Sequence, residues 1–139
     1  MEKEIMEFGE GVIEFYNRES FVYFKILNLF NDEMAMEMTR FIDKHIMGRP
    51  EFSVMVWDLS EIPSKKYKIT TQCTKRIVRW SDGIKINKFD TKSYFIAPEP
   101  LIFGTARMYE IQATDENREL IVLKSIEELP EHIRCKIPQ

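Results

Sequence analysis

The stretch "FSVMVWDL", residues 52–59, decides the fold. It is apolar without the alternation of a half-exposed strand, so both faces must be covered, which is the pattern of a strand inside a parallel sheet. A parallel strand needs a crossover connection on each side, and the flanking segments supply them. Upstream, "NDEMAMEMTRFIDKHIMGRP" (31–50) is punctuated as a helix at both ends. Asn31 can cap it, Asp32 and Glu33 suit the positive end of its dipole, and Gly48 and Pro50 stop it. Met34, Met38, Phe41, Ile42 and Ile46 form one apolar stripe at helical spacing. Downstream, Ile69, Cys73, Ile77 and Trp80 lie along one side of a second helix predicted from Ser64 to Trp80, and Asp82-Gly83 marks a turn.

Further out, "GVIEFYNRES" (11–20) and "FVYFKILNL" (21–29) read as two strands joined by a hairpin turn at "NRES". Toward the C-terminus, "TKSYFIA" (91–97) is a strand ended by Pro98-Glu99-Pro100, residues 101–113 read as a third helix, and "ELIVLK" (119–124) as another strand. "SIEE" (125–128) matches a capping box, Ser125 with Glu128, opening a short last helix that Pro130 breaks or restarts. The order β-β-α-β-α-β-α-β-α predicts an α/β fold: a four- to five-stranded, mostly parallel sheet with an N-terminal antiparallel hairpin. No repeat, low-complexity tract or linker divides residues 1–139, so one domain is expected.

Composition narrows the class. Hydrophobic residues make up 44% and charged residues 31% of the 139-residue chain, which excludes a disordered protein. The longest apolar stretch, "FVYFKILNLF" (21–30), is interrupted by Lys25 and Asn28 and is too short for a transmembrane segment. "MEKEIMEFGE" (1–10) is acidic where a secretory leader is basic and then apolar. Cys73 and Cys135 are too few for a disulfide scaffold, and a cytoplasmic location is the expectation.

Charge is unevenly placed. Between Ile62 and Lys88 stand Lys65, Lys66, Lys68, Lys75, Arg76, Arg79, Lys85 and Lys88 against one acid, Asp82. That segment carries about +7 and the remainder about −10, within a net charge of −3. The acidic remainder resists nucleic acid, so an acidic partner or a local anion fits better.

Catalysis finds little support. The two histidines, His45 and His132, have no cysteine or carboxylate at metal-ligand spacing, and no metal or other cofactor is expected. The five glycines form no phosphate-cradling loop. Cys73 sits on the apolar stripe as a core residue. Asp58, at the carboxyl end of a parallel strand, occupies the position where such sheets often place function. Lys65 and Lys66, in the first turn of the predicted second helix, oppose its dipole. With the free amides there they favour a phosphate, carboxylate or acidic lipid headgroup, the alternative being a solvated basic face. Gly104, inside the predicted third helix, implies close packing against the sheet or, with Phe103, Met108 and Tyr109, an apolar pocket or homodimer surface.

The segments "SYFIAPEPLIFGTARMYEI" (93–111), "ELIVLKSIEELPEHI" (119–133) and "VMVWDLSEI" (54–62) resemble bacterial proteins of the SpoIIAA-like, or STAS-like, group. The most specific match is Phe103-Gly104-x-Ala106-Arg107-Met108-Tyr109. The resemblance covers nearly the whole chain and implies helices mostly on one face of the sheet. It also implies action by protein contact, as in antagonists of anti-sigma factors switched by serine phosphorylation; related domains bind small or apolar ligands. The switch serine of that group lies in an Asp-Ser-Ser/Thr-Gly-Leu-like motif, where this chain has "IPSKKYK" (62–68). Ser64 stands near the switch position, and its other reading is an N-cap of the second helix. The expected activity is therefore non-enzymatic contact with a protein partner through Asp58, Ser60, Lys65, Lys66 and Lys68. The alternative is a small apolar or lipid-like anionic ligand.

Overall fold

The computed structural model describes residues 2–18, 21–45, 54–83, 91–100, 102–104 and 118–138. Its main sheet is built from β1 (Glu2–Phe8), β2 (Gly11–Arg18), β3 (Phe21–Leu27), β5 (Val54–Asp58), β7 (Thr91–Ile96) and β8 (Arg118–Leu123), in the order β1-β2-β3-β5-β7-β8. The two intervening short strands, β4 (Phe30–Asn31) and β6 (Tyr67–Lys68), pair with each other in parallel. The first three strands of the main sheet are antiparallel and the remaining pairings are parallel. The α/β fold and its opening hairpin are thus as the sequence predicts.

The sheet has six strands where four or five are expected. Residues 2–8, left unassigned as an acidic start, pair along their full length with β2, from Glu2 opposite Asn17 to Phe8 opposite Gly11. Their charges conceal an alternation in which Met6 and Phe8 pack on the core while Ile5 faces the other way. The connection is a two-residue turn, with Gly9 at a φ of +60°, a conformation cheap only for glycine. Gly11 has a different constraint: an added Cβ would stand 2.7 Å from Met34 Cε and 3.1 Å from the Leu29 carbonyl oxygen.

From β3 onward each parallel strand lies one place further in the same direction. Right-handed crossovers that all step one way return their helices to one face of the sheet. Accordingly α1 (Asp32–His45) and α2 (Thr71–Gly83) share a core with the inward side chains of β2, β3 and β5, including Ile13, Phe24, Met34, Met38, Ile42 and Ile77. An aromatic series runs across this face: Phe15 lies 5.3 Å from Phe24, Phe24 5.6 Å from Trp57, and Trp57 4.9 Å from Phe95, as ring centroids. Each such pair adds about 0.5–1.5 kcal/mol beyond its burial.

The opposite face is covered in part by the C-terminal segment. Leu129, Ile133 and Ile137 pack on Phe21, Tyr23, Val56, Tyr94 and Ile96. Both faces of β5 are buried, as its unbroken apolar run requires. In the C-terminal segment, residues 126–128 form a 3₁₀ turn and α3 (Glu131–Arg134) restarts after Pro130. Ser125 makes no side-chain cap, and Glu128 accepts the Lys124 amide at 2.9 Å rather than that of Ser125, so the expected capping box does not form. The third helix predicted over 101–113 is described at 102–104, where the chain is helical; the remainder lies outside the described residues, as does Met108-Tyr109.

The two long helices begin alike. Asn31 caps α1, its Oδ1 accepting the Met34 amide at 3.0 Å, as its sequence position predicts. Thr70 caps α2, its Oγ1 accepting the Cys73 amide at 3.0 Å. The Asp32 carboxylate joins the two starts by accepting from the Thr70 amide (2.9 Å) and hydroxyl (2.7 Å). Eleven residues on in α1, Asp43 accepts from Trp80 Nε1 at 2.9 Å near the end of α2. The helices therefore run side by side in the same direction, as successive β-α-β units demand.

Candidate functional site

Three of the residues singled out by sequence, Asp58, Ser60 and Ser64, lie where β5 and β7 end. Asp58 is the last residue of β5, and only 2% of it is exposed. Both oxygens of its carboxylate are engaged within the chain: one accepts the Tyr23 hydroxyl and the other the Ser60 amide at 2.9 Å. Burial, and then the Asp58 charge, push the Tyr23 phenol far above its usual range, so it remains a donor at any ordinary pH. Next to this pair Lys25 meets Glu61 at 3.3 Å on the surface. The Leu59 amide donates to the Ile96 carbonyl at 2.9 Å, extending the ladder past the strand and fixing the turn beyond it. Ser60 itself is exposed and contributes its backbone to that turn.

Ser64 is not the N-cap of the second helix. Residues 64–66 form a single 3₁₀ turn without a side-chain cap, after which the chain extends through β6 and enters α2 only at Thr71. The reason is tertiary: Tyr67 packs its ring 6.1 Å from Phe30, and β6 pairs with β4, which draws the backbone out of helical geometry. The Ser64 hydroxyl instead donates to Glu99 Oε2 at 2.9 Å, tying the loop after β5 to the loop after β7.

The dipole argument for an anion at Lys65 and Lys66 falls with the same correction. Neither lies in the first turn of α2, where Thr70 Oγ1 takes the Cys73 amide and Asp32 takes the amide of Thr70 itself. Lys66 reaches the other way, to Glu10 in the β1–β2 turn at 2.8 Å. Lys65 and Lys68 are exposed. On α2, Lys75, Arg76 and Arg79 are also exposed; Lys75 and Arg79 lie on the side away from the buried Cys73 and Ile77, and Arg76 flanks it beside Cys73. The exposed cations of this part of the chain are thus Lys65 and Lys68 before α2 and Lys75, Arg76 and Arg79 on it.

Phe103 is half-buried against the helix-side core, with Lys124 Nζ 5.1 Å from its ring centre. Gly104 is exposed, and a Cβ added there would meet no atom of the described residues within 4 Å. The close approach expected at this glycine therefore has no counterpart among the described residues; it occurs at Gly11.

Between the starts of α1 and α2 lies a cleft of about 80 Å³ lined by Asp32, Met36, Thr70, Gln72, Cys73 and Arg76. It is a small, half-open cleft with room for a few waters. Burial, then the charge of Asp32, push the Cys73 thiol up to about 11, so it is protonated and unreactive at neutral pH. Among the described residues no group of three or more His, Cys, Asp or Glu is arranged to hold a metal ion. No helix of the described residues is long and apolar enough to cross a membrane.

The sequence missed Tyr23, Glu99, Thr70 and Asp32 as polar partners. Tyr23 lies in a strand of apolar neighbours, where its hydroxyl was the one available signal of a buried acceptor. Glu99 and Thr70 carry no such mark. No family model matches the chain, and no curated protein is similar to it.

Proposed function

We propose that this chain is a STAS-like, non-enzymatic domain that works by contact with an acidic protein partner. The contact surface is the outer side of α2 with the turn before it: Lys65, Lys68, Lys75, Arg76 and Arg79. One observation carries this reading. These five cations are exposed, whereas the polar groups at the sheet exit spend their hydrogen bonds inside the chain, Asp58 on Tyr23 and Ser60, and Ser64 on Glu99. A concentrated basic surface on an otherwise acidic chain steers an acidic partner and fixes its orientation.

Control through Ser64 is compatible with the same geometry. A phosphate there would set its charge against the Glu99 carboxylate and open the tie between the two loops. The test is affinity capture from the host with the wild-type chain and with Lys75→Glu/Arg76→Glu/Arg79→Glu, followed by calorimetry on the purified partner. A captured protein that binds both forms equally would remove the basic face from the proposal.

A further inference from the structure

β1 is an edge strand of seven residues, with β2 on one side and no described strand on the other. Such an edge presents unpaired amides and carbonyls, and proteins commonly protect it with charge. Glu2, Lys3, Glu4 and Glu7 fit that description at first sight. Their order, however, has a property that protection alone does not require.

Place a second copy of β1 antiparallel to the first, with Ile5 opposite Ile5. Lys3 then stands opposite Glu7, and Glu7 opposite Lys3, on the same side of the sheet as the two isoleucines. Glu4 stands opposite Met6. A shift of two residues one way sets Glu4 against Glu4, and two residues the other way sets Ile5 against Glu7. One register is therefore favoured by charge and its neighbours are not. At its centre is Ile5, 53% exposed and the exposed large hydrophobic residue of the described chain. Its side of the sheet is away from α1 and α2, and the apolar side chains of the C-terminal segment pack over β3, β5 and β7, further along the sheet.

We propose that β1 is a homodimer edge: two copies join through β1 in this register, about a two-fold axis at Ile5, to make one continuous sheet. The Lys3–Glu14 pair, at 3.2 Å, holds the lysine on the side where Glu7 of the second copy would lie. This surface is separate from the basic side of α2, so the dimer and the partner contact are independent.

Sedimentation and cross-linking together test the edge. The wild-type chain should sediment as a dimer at micromolar concentration. Ile5→Lys and Glu7→Lys should each weaken it by about tenfold or more, equivalent to about 1.4 kcal/mol. Neither change strips the core, since both side chains are exposed, and circular dichroism checks that each variant is folded. In a Cys135→Ser background, Ile5→Cys should form a disulfide-linked dimer on mild oxidation, while Glu4→Cys, facing Met6, should not. A monomeric wild type would overturn the proposal. So would a dimer indifferent to both charge substitutions, or one in which Glu4→Cys links as readily as Ile5→Cys.

Discussion

The hydroxyl of Tyr23, on β3, donates to the carboxylate of Asp58, the last residue of β5, across a face of the sheet closed to solvent. The pair couples neighbouring parallel strands by side chains at the point where β5 leaves the sheet. A buried carboxylate at such a position draws suspicion of chemistry, and here its oxygens are occupied by Tyr23 and Ser60. Its role in this architecture is to hold the exit turn.

Tyr23→Phe removes the donor and leaves one Asp58 oxygen buried without it. A loss of about 1–3 kcal/mol is expected in urea unfolding. The pH dependence has a definite sign. The native phenol is raised above its unfolded value, so its contribution is complete below about pH 10. As the pH rises further, the unfolded chain ionises while the native chain holds its proton, and stability falls. Tyr23→Phe should flatten this alkaline decline, with Tyr67, pushed up to about 12 by burial, supplying a remainder.

Gly11→Ala should cost about 1–3 kcal/mol, because the new methyl meets Met34 Cε and the Leu29 carbonyl oxygen. Combining it with Met34→Ala provides the check. The double variant should be less destabilised than the sum of the single ones, since the second change makes room for the first. Additive thermal denaturation data would contradict the packing account.

The parallel core was legible in the sequence because burial leaves a strong imprint. β5 is covered on both faces and reads as an unbroken apolar run, and α1 carries both its cap and its stripe. β1 was hidden because an edge strand is half-solvated, and four charges masked the side that packs. The start of α2 was misplaced for another reason. Residues 64–68 have acceptable helical spacing, and only the tertiary pairing of β6 with β4 overrides it. That one error carried the anion argument at Lys65 and Lys66 with it. Contacts such as Ser64 with Glu99, thirty-five residues apart, leave no local pattern to read.

Ser64→Ala should be mild, at about 1 kcal/mol, for a partly buried hydrogen bond. Ser64→Asp should destabilise more, by opposing two carboxylates, and Glu99→Gln should recover most of that difference. Chemical denaturation of the four proteins measures the coupling. An Asp variant as stable as the Ala variant would show that Glu99 does not sense charge at position 64.

The two thiols should differ sharply. Cys135 is exposed and should react at once with a disulfide reagent near pH 8, while buried Cys73 should react only as the chain opens. The Cys73 thiol is raised to about 11, so its share of stability is full below about pH 9 and is lost between there and about pH 11. Cys73→Ala should lose that part of the pH dependence. Rapid reaction of both thiols in the native chain would contradict the burial of α2 against the core.

The claim at the centre of the account is that the basic side of α2 binds an acidic protein. Its most direct test is titration calorimetry of the captured, purified partner against the wild-type chain and Lys75→Glu/Arg76→Glu/Arg79→Glu. Affinity for the wild type should fall as salt is raised, and the triple variant should bind at least about tenfold more weakly, a change of about 1.4 kcal/mol, while melting normally. Equal affinity of the two proteins, insensitive to salt, would contradict it.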